Sequence, residues 1–251
     1  SGIAVMVDVV LNHMAGPYVY SPDEDRGKEC GHQHNSSKTS TQKCLGWAGT
    51  EYGNREFPNG RPDLDRFDRD MFHHYPDNNR ANCGLPPWTN NFRLCDMYGL
   101  PDINTELSSV QHQLTAFLFE LFEIGVTMLR IDAAMAIFPE SLASVVLPLP
   151  WEYLVQEYYP DQMRKKEEAD KATTIGSATD FTFGSRVAQS LFDSGWSGNW
   201  KERPVQFGEL LELQKDGFAG CVYGICNSPY ETNHALLFLD NHDQQRERWK
   251  P

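Results

Sequence analysis

Acidic, amide and histidine side chains collect at the ends of short apolar runs in this chain. Asn12 and His13 follow the run from Ile3 to Val10. Arg130 and Asp132 close the run that starts at Val126. Glu157 follows Tyr153 to Gln156, and His242 and Asp243 follow Ala235 to Leu239. Carboxylates gathered in one place can divide the work of nucleophile and proton donor, and a nearby guanidinium or imidazole tunes their charge. Arg130 stands two residues before Asp132, so on a strand both point to the same side. Taken singly these residues have plain alternatives: an Asp after a strand often caps a helix, and a lone His there can be structural. Their joint occurrence at four strand ends argues for a site.

Such a site needs elements to position it. The run from Ile3 to Val10 is nearly all apolar and β-branched, which predicts a parallel strand covered on both faces. Leu107, Val110, Leu114, Phe117, Leu118, Leu121 and Phe122 recur at helical spacing, predicting a helix over 105–124 with Gly125 as its stop. Further strands are expected over 126–131, 153–156, 178–183 and 235–239, and a helix beginning near Val187. Residues 161–172 are charged and read as a solvent-facing helix or lid. Residues 14–100 are rich in Gly, Pro, Asn, Asp and aromatics. That is too long for a plain loop, so it reads as an irregular inserted subdomain pinned by disulfides or a metal. Strands alternate with helices, and polar residues sit at several separate strand ends. This fits a (β/α)8 barrel better than a doubly wound sheet, where the site lies at one switch point.

The chain has 251 residues, 40% apolar and 12% aromatic, enough for a sizeable core in one large domain or two ordinary ones. Lys plus Arg is 22 and Asp plus Glu is 35, so the net charge is −13. No basic cluster offsets it, which argues against nucleic acid or an anionic membrane as partner. No apolar run is long enough to span a bilayer. Ser1 to Val10 has no basic start and no small-residue cleavage site, so it reads as a strand and not a leader. Both ends lie close to core elements or motifs, which suggests a piece of a longer polypeptide. Cys30, Cys44, Cys83, Cys95, Cys221 and Cys226 include no CxxC pair, which favours disulfides over thiolate metal ligation. The local pairings 30 with 44, 83 with 95, and 221 with 226 are the first to consider; reduced thiols are the alternative.

Five segments, in order, resemble the signatures of the α-amylase family of glycoside hydrolases. Asp8-Val9-Val10-Leu11-Asn12-His13 resembles the one ending the third barrel strand. Gly99-Leu100-Pro101-Asp102-Ile103-Asn104 resembles the one closing the inserted domain B. Leu129-Arg130-Ile131-Asp132-Ala133 resembles the nucleophile segment of the fourth strand, and Gln156-Glu157 the acid/base segment of the fifth. Phe238-Leu239-Asp240-Asn241-His242-Asp243 resembles the seventh-strand segment. Asn54-Arg55-Glu56-Phe57-Pro58 is similar to animal-type amylases in particular. Glu209 also has the look of an acid/base residue. However, the stretch from Gly176 to Gly184 resembles the sixth-strand region, and the acid/base glutamate should precede it, as only Glu157 does.

The resemblance implies a TIM (β/α)8 barrel, of which the third to seventh strands are represented. Residues 1–13 would carry the third strand, 14–100 domain B, and 101–251 the fourth to seventh strands. The missing barrel segments would lie on another chain or outside this one. It implies retaining endo-hydrolysis of α-1,4-glucosidic bonds in starch or glycogen-type glucans and maltooligosaccharides, in a secreted protein. Asp132 would be nucleophile, Glu157 general acid and base, and Asp243 the third carboxylate. Asp8, His13, Arg130 and His242 would line the sugar subsite, and Tyr18, Trp47 and Tyr52 could stack on sugar rings or simply pack their loops. Calcium is the implied metal, held by side-chain oxygens of Asn12 and Asp102 and backbone carbonyls of Arg93 and Ala136. Arg130 and Asn241 match two chloride ligands; a third would lie beyond Pro251. Two departures stand out: Met135-Ala136 replaces the usual Lys-His pair, and Met128 the usual glycine. The first motivates a maltase-like or transglycosylating relative as an alternative. A non-enzymatic binding or assembly protein on an inherited barrel is the other.

Overall fold

A computed structural model describes residues 4–15, 44–45, 51–52, 57, 64, 66–73, 82–84, 92–97, 100–158, 166–180, 221–222, 225–226 and 234–237. In chain order the elements are β1 (Met6–Val10), β2 (Cys44–Leu45), β3 (Glu51–Tyr52), β4 (Asn82–Gly84), β5 (Asp96–Met97), α1 (Ser108–Glu123), β6 (Met128–Asp132), α2 (Pro139–Val146), β7 (Tyr153–Gln156), α3 (Lys166–Thr173), β8 (Ser177–Asp180), β9 (Cys221–Val222), β10 (Ile225–Cys226) and β11 (Ala235–Leu237). Short 3-10 turns cover Arg69–Met71, Phe92–Leu94 and Ala134–Ala136. The main sheet has the strand order β1-β6-β7-β8-β11. Pairing is parallel where Val155 faces Ser177 and where Ala235 faces Ala178. Its strands follow chain order without the reversal that marks a doubly wound sheet. This is the pattern of part of a (β/α) barrel.

The chain divides into two compact units, residues 1–128 with 132–152, and residues 129–131 with 153–251. In the first, α1 begins at Ser108 rather than at 105, because Leu107 is still extended and serves as an N-cap without a side-chain hydrogen bond. Its inward face carries Val110, Gln113, Leu114 and Leu118. Phe117 and Phe119 are exposed, so the apolar stripe is wider than the face that is buried. Gly125 ends the helix at φ 97°, a region that L side chains avoid. Gly125 N–H donates to Phe122 O and Val126 N–H to Leu121 O, the two bonds of a Schellman close. The α2 helix was not anticipated from sequence. It opens on Pro139 with Glu140 in its first turn, and buries Leu142, Val145 and Val146. Thr115 Oγ1 donates to Val145 O at 3.1 Å, tying α1 to α2. Trp151 Nε1 donates to Val146 O and takes Phe122 edge-on at 5.7 Å.

The β1 strand departs from expectation. Val9 is buried and Val7 half-buried, while Met6, Asp8 and Val10 are exposed. It is a half-covered strand at the end of the strand order, with one face in and one face out, instead of a strand covered on both faces.

In the second unit, β7 matches the expected 153–156 and is buried from Leu154 onward. Gly176 lets β8 start against β7: a Cβ there would lie 2.7 Å from both Cβ and O of Leu154. The β8 strand covers Ser177–Asp180, within a residue of the start expected for it, and α3 falls inside the charged stretch with Ala172 buried. The anticipated helix near Val187 lies outside the described residues. Two registers bear on the cysteines. Cys226 sits directly across from Cys221 in the β9–β10 pair. Cys83 lies in β4, which pairs with β5 immediately after Cys95. No helix among the described residues is long and apolar enough to cross a membrane.

Candidate functional site

In the second unit, the ends of β6 and β7 bring Arg130 and Glu157 together. Leu129 and Ile131 face the core and are fully buried, so Arg130 faces the other way. Its Nη2 lies 2.9 Å from Glu157 Oε1, with side-chain exposures of 14% and 6%. In an ion pair this sheltered from water, desolvation offsets much of the attraction, but losing one partner strands the other.

Three hydrogen bonds seat Glu157. Its own N–H donates to Ile131 O at 2.9 Å. The N–H of Tyr158 donates to Thr179 Oγ1 at 2.9 Å. Buried Gln156 turns the opposite way and donates from Nε2 to Ala172 O at 2.8 Å. The carboxylate is therefore fixed by strands on either side of it.

Asp132, half-buried, ends β6. Ala133 follows in the left-handed region, φ 48° and ψ 30°. For a residue with a Cβ this costs on the order of 1–3 kcal/mol, the kind of strain that collects at functional sites. The turn sends the chain into Ala134–Ala136, whose residues are all buried.

A second polar cluster lies in the first unit. Residues 12–14 and 101–103 pair antiparallel: Ile103 N–H donates to Asn12 O at 2.8 Å and Met14 N–H to Pro101 O at 3.0 Å. Residues 71–73 pair on the same segment, with His73 N–H donating to Asp102 O and Asn104 N–H to Met71 O. Phe72, wholly buried and 5.7 Å ring to ring from Phe57, anchors this second pairing.

Asp102 is 1% exposed. Its N–H donates to Asp96 Oδ1 at 3.0 Å, and its Oδ2 meets His73 Nδ1 at 2.7 Å. The other face of the His73 ring meets Glu106 Oε1 at 3.3 Å. Asp102 Oδ1 and Asn12 Nδ2 are buried without a protein partner. Nearby, Arg93 Nε donates to Met135 O at 3.0 Å, while its guanidinium stacks on Phe92 and Phe138.

The charges reflect this crowding. Burial pushes the Asp102 carboxyl up to about 7, against the pull of His73. Burial also works to lower His73, but its hydrogen bonds to Asp102 and Glu106 outweigh it and raise the imidazole to about 9. For Glu106, burial is likewise outweighed by His73, and its carboxyl falls below the ordinary range. His13 is lowered by burial, opposed by the nearby charge of Asp132.

Among the residues expected from sequence, Arg130 and Glu157 meet directly, Asn12 and His13 lie against Asp102, and Arg93 lies against Met135, next to Ala136. Asp8 is exposed on β1. Asn241, His242, Asp243, Glu209, Tyr18 and Trp47 lie outside the described residues, as does the Tyr52 side chain. No group of three His, Cys, Asp or Glu side chains suited to a metal occurs among the described residues. Sequence reasoning passed over His73, Asp96 and Glu106. Nothing in the sequence marked them, because acids and histidines are no denser between Met71 and Glu106 than in the rest of the chain and follow no period there.

Comparison with known proteins bears on the fold and the family. No family model matches the chain. The α-amylase-related protein of Drosophila dossoui is 25% identical over 265 residues, and that of Drosophila bakoue 26% identical over 270. Each match covers 98% of this chain and 42% of the relative. The chain thus spans under half the length of the curated relatives it matches. Among solved structures, α-amylase I of Eisenia fetida superposes with a TM-score of 0.56 at 22% identity, over 98% of this chain and 43% of that one. A mutant of the same earthworm enzyme in complex with maltohexaose gives 0.55. These structures support the fold, a parallel sheet of partial barrel type. The chain therefore has a family-level match to the α-amylases, along 98% of its own length and over 42–43% of theirs.

Proposed function

We propose that this chain is the central part of an α-amylase-like glycoside hydrolase that cleaves α-1,4-glucosidic bonds inside starch or glycogen-type glucans with retention. One observation carries the reading. A buried arginine–glutamate pair joins the ends of neighbouring strands, with Asp132 two residues beyond the arginine. Retaining cleavage needs two carboxyl groups roughly 5–5.5 Å apart across the scissile bond. Asp132 attacks the anomeric carbon and forms a glycosyl ester as the glucosidic bond breaks. Glu157 gives its proton to the departing oxygen, then takes one from the water that hydrolyses the ester. Arg130 orients Glu157 and supplies positive charge while the carboxylates change roles. Asp243 holds sugar hydroxyls and favours the oxocarbenium-like state. Asp8, His13 and His242 complete the sugar subsite.

Residues 1–13 and 101–251 form barrel strands three to seven in this reading, and 14–100 the inserted domain B. Calcium fits the cluster around Asp102. Asp102 presents a buried carboxylate oxygen with no protein partner, and the Asn12 amide nitrogen, on the paired segment, is likewise buried without one. An amide's oxygen and nitrogen are interchangeable in assignment. With the carbonyls of Arg93 and Ala136 these make a hard oxygen set of the kind calcium selects. Bound there, calcium would brace the segments around residues 12, 93, 102 and 136. Chloride would use Arg130 and Asn241. The β9–β10 and β4–β5 registers support pairing Cys221 with Cys226 and Cys83 with Cys95, in keeping with a secreted protein.

Met135 and Ala136 stand where the family has Lys-His, and both are buried, at 1% and 2% exposure. Their side chains offer sugar no contact, which favours an altered product pattern, as in a maltase-like or transglycosylating relative. Proton NMR of the newly released reducing ends, on maltoheptaose and the full-length protein, tests the reading. α-Anomers appearing first, with Glu157→Gln inactive, are expected. β-Anomers first would rule out retention, and no turnover would favour a binding role.

A further inference from the structure

We propose that His73 is a positioning residue that holds Asp102 with one carboxylate oxygen turned free for a cation; this rests on the calcium reading above. His73 grips Asp102 twice. Its backbone N–H donates to Asp102 O at 3.0 Å, and its ring nitrogen Nδ1 meets Oδ2 at 2.7 Å. The ring is braced from its far side by Glu106, 3.3 Å from Nε2. Asp102 is further fixed through its N–H on Asp96. One carboxylate oxygen is thus committed to His73, and the other, Oδ1, is buried without a protein partner.

A carboxylate free to rotate could spread its charge over several arrangements. One clamped through Oδ2 presents Oδ1 in a single direction, and that preorganisation is what a hydrogen-bonded partner gives a metal ligand. Two carboxylates, Asp102 and Glu106, meet the one imidazole, while Asp96 accepts from the Asp102 N–H and holds its backbone. Nothing in the sequence signatures includes His73.

Calorimetric titration of calcium into chelator-treated, full-length protein tests this, alongside thermal unfolding in EDTA. His73→Phe keeps a ring of similar size but removes both nitrogens, and should weaken calcium binding by about 10–100-fold. His73→Asn places an amide N–H near the Nδ1 position and should restore most of the affinity. Glu106→Gln, at a half-exposed rim, should fall between wild type and His73→Phe. A merely structural role would instead lower melting in EDTA for every variant and leave the calcium dissociation constant where it was. Wild-type affinity in His73→Phe, or no rescue by His73→Asn, overturns the proposal. If His73→Phe does not fold, the order wild type, His73→Asn, Glu106→Gln in affinity decides it. If the wild-type protein takes up no calcium, the calcium reading fails and the role of His73 fails with it.

Discussion

The two polar clusters differ in the base that their carboxylates meet. Around β6 and β7, a guanidinium meets the Glu157 carboxylate at 2.9 Å. Around Asp102, two carboxylates, Asp102 and Glu106, meet a single imidazole, and one oxygen of Asp102 is buried without a partner. An arginine beside a carboxylate favours its charged form, which suits a glutamate that must act as a base in one step of a reaction. A buried carboxylate oxygen without a protein partner suits a permanent cation. The difference teaches that buried charge by itself does not identify chemistry; what each carboxylate oxygen meets does.

Substitutions can break or sharpen that contrast. Glu157→Gln removes the proposed proton donor but keeps its shape, and should lower kcat on maltooligosaccharides by about 10²–10⁴-fold with little change in KM. Steady-state kinetics at one pH reads this. In the other cluster, Asp102→Ala strands His73 against Glu106 and should destabilise the fold by about 3–5 kcal/mol in urea titration. The same substitution should remove any rise in melting temperature on adding calcium. If both clusters lost stability equally and calcium made no difference, the contrast drawn here would be wrong.

Two smaller effects probe the seat of Glu157. Gly176→Ala would drive a methyl group against Leu154, and should cost about 1–3 kcal/mol. Activity in the folded fraction should fall as well, because β7 carries Glu157 just past its end. Thr179→Val removes the hydroxyl that accepts from Tyr158 N–H and should cost about 1 kcal/mol, read by chemical denaturation.

Much of the frame was legible in the sequence for physical reasons. The β7 strand and the close at Gly125 were marked by an apolar run and by the one residue at ease at positive φ. The α1 helix announced itself through seven apolar positions at helical spacing, although its width misled: Phe117 joined the pattern but not the core. The α2 helix escaped notice because it is only eight residues long and follows a turn with no periodic signal of its own. The exposure of β1 could not be read from a run of Val and Ile, because coverage depends on neighbouring elements and not on the strand's own composition. The meeting of Arg130 with Glu157 was only half visible. Sequence alternation aimed Arg130 at the side where Asp132 lies, but the partner that it contacts at 2.9 Å sits on the next strand. His73 was invisible as a site residue because its significance comes from residues 29 and 33 positions further on, brought to it by local strand pairing.

The central claim is that this chain carries the cleavage machinery of an endo-acting glucan hydrolase, with Asp132 at its centre. The most direct test is the viscosity of soluble starch treated with the full-length protein in calcium, beside an Asp132→Asn control of equal melting temperature. A rapid fall with release of short maltooligosaccharides, absent in the control, is the predicted result. Unchanged viscosity with a folded, calcium-loaded protein, or equal cleavage by Asp132→Asn, would contradict it.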